Sequence, residues 1–237
     1  MKRNEQDSIL KEQIEYYEAR ATEYDEWFLR RGRYDHGSKL KKLWFSEVEQ
    51  VKAELKKFNP KGKVLEIACG TGWWTEQLVK YAEHITAVDA ASEVLILNKK
   101  KNGQEKVNYI KADLFNWNPQ DKYDVIFFSF WLSHVPPDKF EQFWLLVQKA
   151  LRPQGRVFFI DSLKSEGPEK TYTINNPVNP TSLRKLNDGR TFTVIKVFYR
   201  PEKLTQDLKQ LGWYFKVKNT TNYFLYGFGS LRKQNRL

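Results

Sequence analysis

Val64-Leu65-Glu66-Ile67-Ala68-Cys69-Gly70-Thr71-Gly72-Trp73-Trp74-Thr75 reads as a short apolar strand that runs into a glycine turn and then into a helix. Glycines let the backbone approach a bound group closely, and a helix N-terminus offers unpaired N–H donors to an anion. Past Thr86-Ala87-Val88, at the end of the next expected strand, stands Asp89, where a carboxylate can accept two hydrogen bonds from a ribose diol. Ala112-Asp113-Leu114 brings another carboxylate to the same edge after a third strand.

Outward from this turn, short apolar runs alternate with helical patterns, the texture of a mostly parallel sheet in an α/β protein. Strands are predicted near Val64 to Ala68, Ile85 to Val88, Val107 to Ile110, Val125 to Phe130 and Arg156 to Ile160. A helix with Phe140, Trp144, Val147 and Leu151 on one face precedes the last of these, with Asp138 placed to cap its start and Pro153-Gln154-Gly155 to end it. After Asp161 a stretch rich in Gly, Pro, Asn and Ser continues to Asp188-Gly189 and reads as a partly structured insertion that could act as a lid. Thr191 to Tyr199 alternates like a strand, Pro201 opens a helix, and Trp213 to Val217 and Tyr223 to Phe228 read as strands. Upstream, the stripes Leu10, Ile14, Tyr17, Ala21, Tyr24, Phe28 and Leu40, Trp44, Val48, Val51, Leu55, Phe58 predict two helices. The expected organisation is an N-terminal helical cap (1–60), a core (61–161), an insertion or lid (162–199), and a C-terminal helix and strand pair (200–237) that completes the core.

In this order, the turn and the two acids resemble the class I S-adenosylmethionine (SAM)-dependent methyltransferase family. The family's acidic-x-Gly-x-Gly-x-Gly signature is matched as Glu66-x-Ala68-x-Gly70-x-Gly72, with alanine at the first glycine. The resemblance covers Val64 to Asp161 and, more loosely, the final strand pair. It implies a Rossmann-like doubly wound sheet with a C-terminal antiparallel strand pair, and SAM as cofactor. It also implies that Glu66, Gly70 and Gly72 hold the amino-acid end of SAM, Asp89 the ribose, and Asp113 with Leu114 the adenine. Tyr17, Arg20, Ala68, Trp73, Thr75, Ala90, Ala112 and Ser129 complete the implied cofactor set. Tyr16-Tyr17-Glu18-Ala19-Arg20-Ala21, followed by Tyr24-Asp25, is similar to the helix that many small-molecule members fold over the cofactor. Structural readings stand beside these: Asp89 as a capping turn residue, Trp73 and Trp74 as core, Cys69 as packing. Glu66 is harder to explain structurally, because a carboxylate in a buried parallel strand is costly unless paired.

Methyl transfer from a sulfonium is an in-line displacement that needs no metal, and needs a base only when the acceptor must lose a proton. His134 at the end of Ser129-Phe130-Trp131-Leu132-Ser133-His134 is the first candidate base, followed by His36 and Asp161; a structural histidine bonded to a backbone carbonyl is the alternative for His134. Tyr34, Arg190, Lys196 and Tyr199 are candidates to line the pocket from cap and lid. Metal-dependent catechol-type members carry acids after the fourth strand and Asp-Asn after the fifth, whereas this chain has Ser129 and Asp161-Ser162. The tetrad with which nucleic-acid amino-methyltransferases grip a flipped base is absent from Ser129-Phe130-Trp131-Leu132.

A length of 237 residues with 41% hydrophobic content fits one main domain. No apolar run is long enough to cross a bilayer, and the start lacks a signal-type apolar stretch, so a cytoplasmic protein is expected. One cysteine and three histidines offer neither a disulfide nor a zinc cluster. The net charge of +11 favours anionic partners. Lys39, Lys41, Lys42, Lys52, Lys56 and Lys57, however, fall largely on the polar positions of one predicted helix and read as a solvated face. The expected function is a SAM-dependent methyltransferase acting on a small acceptor, aromatic or acidic. An RNA-modifying methyltransferase and a non-catalytic nucleotide-binding protein are the alternatives. A dinucleotide dehydrogenase is disfavoured by Thr75, which stands where that fingerprint needs glycine.

Overall fold

A computed structural model describes residues 3–164, 173–174 and 180–232. Residues 165–172 and 175–179 of the expected insertion lie outside the described residues. Three helices, α1 (Arg3–Arg20), α2 (Tyr24–Leu29) and α3 (Ser38–Phe58), precede an alternating core. The core runs β1 (Lys63–Ile67), α4 (Thr75–Leu78), β2 (His84–Asp89), α5 (Ser92–Asn102), β3 (Val107–Lys111), β4 (Tyr123–Ser129), α6 (Phe140–Ala150) and β5 (Leu151–Ser162). Three short strands follow, β6 (Thr173–Ile174), β7 (Thr181–Lys185) and β8 (Thr191–Ile195), then α7 (Pro201–Gln210), β9 (Trp213–Asn219) and β10 (Phe224–Leu231).

Seven strands form one sheet in the order β3-β2-β1-β4-β5-β10-β9. β1 through β5 are parallel, and β10 runs antiparallel between β5 and β9, so the doubly wound reading with a C-terminal antiparallel pair holds. The period-two alternation of the strands feeds two cores. Val64, Val125, Phe127, Phe158 and Ile160 face one layer with Trp44, Val48, Val51 and Leu55 of α3 and Leu78 of α4. Leu65, Ile67, Ile126, Phe128, Val157 and Phe159 face the other, with Trp144 and Val147 of α6 and Leu204 and Leu208 of α7.

The N-terminal helices therefore divide. α3 is an integral layer helix, and its buried Glu47 accepts hydrogen bonds from Thr220 Oγ1, Asn222 N and Tyr223 N in the β9–β10 connection. α1 instead packs on the separate three-stranded sheet β6-β7-β8, where Tyr16, Leu186 and Val194 form a small cluster of their own. The stripe that predicted one long helix is broken by a 3-10 turn over Ala21–Glu23.

Three local expectations are corrected. Asp138 does not cap α6; it lies in a 3-10 turn and accepts from Gln6 Nε2. Pro153-Gln154-Gly155 does not end that helix, which stops at Ala150; these residues sit inside β5, where the register against β4 shifts between Tyr123 and Val125. β8 stops at Ile195 because the chain then bonds elsewhere, Lys196 N to Pro180 O and Val197 N to Ser133 O.

Candidate active site

The strand order reverses between β1 and β4, and in open α/β sheets ligands bind outside the carboxyl ends at that point. A pocket of about 760 Å³, open to solvent, lies there. Its walls come from the exits of β1 (Ala68, Gly70), β2 (Asp89, Ala90, Ala91), β3 (Asp113, Leu114, Phe115) and β4 (Ser129, Phe130, Trp131, His134), with Leu10, Gln13, Ile14 and Tyr17 of α1 across the top. Ala68 (φ 51°) and Phe130 (φ 52°) adopt the left-handed region at the two strand exits that flank the reversal. A Cβ there crowds the following carbonyl, and such strain persists where a site demands it. Ala68 thus takes the backbone shape that the family's glycine adopts freely.

The two remaining glycines have different jobs. A Cβ on Gly70 (φ 52°) would meet nothing within 4 Å, so the turn leaves room for a ligand. A Cβ on Gly72 would lie 2.4 Å from Asn102 Nδ2 and 2.5 Å from Asn98 Oδ1, so this glycine serves the packing of α5 against the turn. The helix after the turn, α4, has four residues, too short for a substantial dipole.

Asp89 accepts from Gly70 N (2.9 Å) through one oxygen and from Ala91 N (3.0 Å) through the other. It is a turn-forming residue and a pocket wall together, and each oxygen keeps a lone pair for a ligand. Burial raises its pKa. Glu66 is buried in β1; its Oε2 accepts from Thr75 Oγ1 at 2.6 Å, while Oε1 is buried with no hydrogen-bond partner among the described residues. Burial, opposed by that hydrogen bond and reinforced by Asp89, pushes its pKa up to about 8.

Opposite in sign, Arg20 at the end of α1 is buried among the rings of Tyr24 (4.9 Å), Tyr16 (5.5 Å) and Tyr34 (5.9 Å). Its Nη2 reaches Tyr34 at 3.4 Å, and its Nε is buried with no hydrogen-bond partner among the described residues. Asp25 of α2 accepts from Thr71 Oγ1 (2.6 Å) and Lys101 Nζ (3.1 Å), which pins the N-terminal segment onto the glycine turn.

At the far end of the pocket, His134 Nδ1 lies 2.7 Å from the carbonyl of Ile195 and Nε2 lies 2.8 Å from Tyr17 Oη. A carbonyl only accepts, so Nδ1 carries the hydrogen and Nε2 accepts from the phenol. The backbone-carbonyl bond expected of a structural histidine is present, and the ring also lines the pocket with Nε2 against Tyr17. Burial, then the charges of Lys196 and Arg184, push its pKa well below the ordinary value, so the near-neutral titration expected of an unperturbed histidine does not apply. Burial also raises Tyr17 well above its usual range.

Among the sequence-derived candidates, Tyr17, Ala68, Gly70, Asp89, Ala90, Asp113, Leu114, Ser129 and His134 line the pocket. Arg20, Glu66, Gly72, Trp73, Thr75 and Ala112 lie outside its wall, as do His36, Tyr34, Arg190, Lys196 and Tyr199. Trp73 packs on Phe28 (4.5 Å) and under Lys101 Nζ (5.4 Å). Asp161 is fully engaged behind the site: it accepts from Ser133 N (2.8 Å) and Ser162 N (2.7 Å) and stands 3.7 Å from Lys196 Nζ. It positions the turn that carries His134. Gln13 was missed; it holds His134 O and Ile195 N together, and a polar residue in the stripe of α1 was its only signal. Val94 and Phe115 were also missed, one hidden in a helix pattern and one in a loop.

A family model described as a methyltransferase domain matches residues 64–155. The solved structure of DhpI with SAH (S-adenosylhomocysteine) is 34% identical, with TM-score 0.76, and the match covers 95% of this chain and 98% of DhpI. A DhpI complex with SAM and HEP matches at 34% identity and TM-score 0.77, over 94% of this chain and 97% of that one. The chain belongs to the class I SAM-dependent methyltransferase family. Among curated methyltransferases, phosphoethanolamine N-methyltransferase 1 of Triticum aestivum is 26% identical over 78% of this chain. Malonyl-[acyl-carrier protein] O-methyltransferase of Priestia megaterium is 33% identical over 43% of it. The matches span only 38% and 37% of those two relatives' lengths.

Proposed function

We propose that the protein transfers the methyl group of SAM to a small organic acceptor by metal-independent in-line displacement, with His134 as general base acting through Tyr17. The observation that carries the cofactor half is two buried groups of opposite charge, each with an atom that has no hydrogen-bond partner among the described residues: Glu66 Oε1, on the strand that enters the glycine turn, and Arg20 Nε, at the end of α1. They match the two ends of a zwitterionic amino acid, carboxylate to ammonium and guanidinium to carboxylate. Asp89 takes the ribose and Asp113 with Leu114 the adenine side. SAM held there supplies a methyl group already activated on a sulfonium, so the protein's task is alignment and exclusion of water.

His134 and Tyr17 complete the reaction for an acceptor that carries a proton. As the acceptor's proton passes to Tyr17 Oη, the phenolic proton passes to His134 Nε2, which leaves a neutral tyrosine and an imidazolium. The Nδ1–H bond to Ile195 fixes the ring for this role. The experiment is transfer of labelled methyl from SAM to a panel of small amines, alcohols and acids, run beside a structured RNA at two salt concentrations. Label on a small molecule supports the reading. Label on RNA alone, with steep salt dependence, would replace it with the RNA-modifying alternative.

A further inference from the structure

The face that the small sheet turns toward α1 carries charge where cover for a helix calls for apolar residues. Ser182 pairs with Val194 and Arg184 with Phe192, and Lys196 N bonds Pro180 O, so Lys196, Ser182 and Arg184 share the side of Val194 and Phe192. That side meets Tyr16 of α1. Lys196 is buried there, with Nζ 2.8 Å from Ser133 Oγ. Ser182 is completely buried, and its Oγ has no hydrogen-bond partner among the described residues. An orphaned buried hydroxyl is costly and calls for a ligand. Arg184 is close enough to act electrostatically on Tyr16, Tyr17, His134 and Lys196 alike. Asp161, 3.7 Å from Lys196, already accepts two backbone N–H groups.

We infer that this face docks an anionic group of the acceptor, a carboxylate or a phosphate. Lys196 and Arg184 supply the charge, Ser182 Oγ donates a hydrogen bond, and the acceptor's reacting atom is left toward Tyr17 and His134. The inference rests on the methyltransferase reading and names the acceptor class for it.

The test is calorimetric titration of the SAH-loaded protein with inorganic phosphate and, separately, with acetate. At least one anion saturates. Ser182→Val, which removes a hydroxyl without a partner and suits a strand, weakens that anion about fivefold, and Arg184→Gln weakens it about tenfold. SAH affinity stays within about twofold in both variants, and Lys42→Gln on the exposed side of α3 alters neither ligand. Saturation by phosphate alone assigns a phosphate-bearing acceptor, and by acetate alone a carboxylate. Absence of binding by either anion, or equal binding in wild type and both variants, overturns the proposal. If SAH fails to bind wild type, the methyltransferase reading falls instead, and the anion titrations on the SAH-free protein decide the docking face by the same two criteria.

Discussion

Replacing Glu66 by glutamine tests whether the cofactor's ammonium is received by a carboxylate that is protonated when the site is empty. Glutamine keeps the shape and an acceptor for Thr75 Oγ1, and removes the ionisation. With its pKa pushed up to about 8, wild-type Glu66 is about nine-tenths protonated at pH 7. An ammonium against Oε1 favours the ionised form, so binding must release a proton. Each pH unit below the pKa costs the complex about 1.4 kcal/mol, and affinity should therefore rise close to tenfold between pH 6 and pH 7. The stability sign follows from the same shift. A folded-state pKa above the unfolded value of 4.5 favours the fold where the acid is protonated, and that contribution is lost as pH rises through about 8. The assay is calorimetry with SAH in two buffers of different ionisation enthalpy. Wild type should release about 0.9 proton at pH 7, while Glu66→Gln should release almost none, bind more weakly by at least about tenfold, and show no slope between pH 6 and pH 7. Wild-type affinity that is flat over that range, with no proton released, would refute the assignment of Glu66 to the ammonium.

The glycines separate fold from cofactor: Gly72→Ala, driven into Asn98 and Asn102, should cost about 2 to 3 kcal/mol in urea unfolding. Gly70→Ala should cost only about 1 kcal/mol yet lose at least about tenfold in SAH affinity, and the reverse ranking would sink the distinction. Ala68→Gly relieves a left-handed alanine and should raise the unfolding free energy in urea by up to about 1 kcal/mol, net of the freedom glycine gains in the unfolded chain; a lower value would show that the turn is not strained. His134→Ala should lower kcat roughly 100- to 10,000-fold with SAH affinity intact, and Tyr17→Phe should lower it as well if the proton passes through the phenol. Because the His134 pKa is depressed in the free protein, wild-type kcat/KM should fall only at pH values well below 6.5, so an acid limb of kcat/KM centred at neutrality would contradict the base assignment.

The layers were legible because strands β1, β4 and β5 are buried on both faces and flanked by amphipathic helices, a pattern that one sequence carries in full. Ala68 was legible as a departure from a glycine pattern, though only the backbone shows it to be left-handed. Gly70 and Gly72 look equivalent in sequence, and what divides them is a contact with Asn98 and Asn102 from the next helix. Phe130 gave no sign of its positive φ, since nothing in Ser129-Phe130-Trp131 marks a forced turn. The partition of α1 and α3 between two packing units was also hidden, because an apolar stripe says that a helix is covered and not by what. Tyr17 meets His134, Lys196 meets Ser133 and Ser182 pairs with Val194 through long-range contacts that local periodicity does not encode.

The charge distribution along the pocket links the two proposed halves of the reaction. At the proposed cofactor end Glu66 and Arg20, which stand outside the pocket wall, would be complementary to a zwitterion, which brings no net charge. At the acceptor end, proton transfer to His134 creates an imidazolium in the field of Lys196, Arg184 and Arg20, and that field opposes it. An anion docked on the β6-β7-β8 sheet, as proposed, would reverse the opposition. At a separation of about 8 Å and an effective dielectric near 20, one negative charge stabilises the imidazolium by about 2 kcal/mol, or roughly 1.5 pKa units. Water entering the same pocket brings no such charge, so the base stays weak toward it. On this proposal the acceptor improves its own catalyst on binding, and the cations that make His134 a poor base in the empty site would be the means by which methyl transfer is favoured over hydrolysis of SAM.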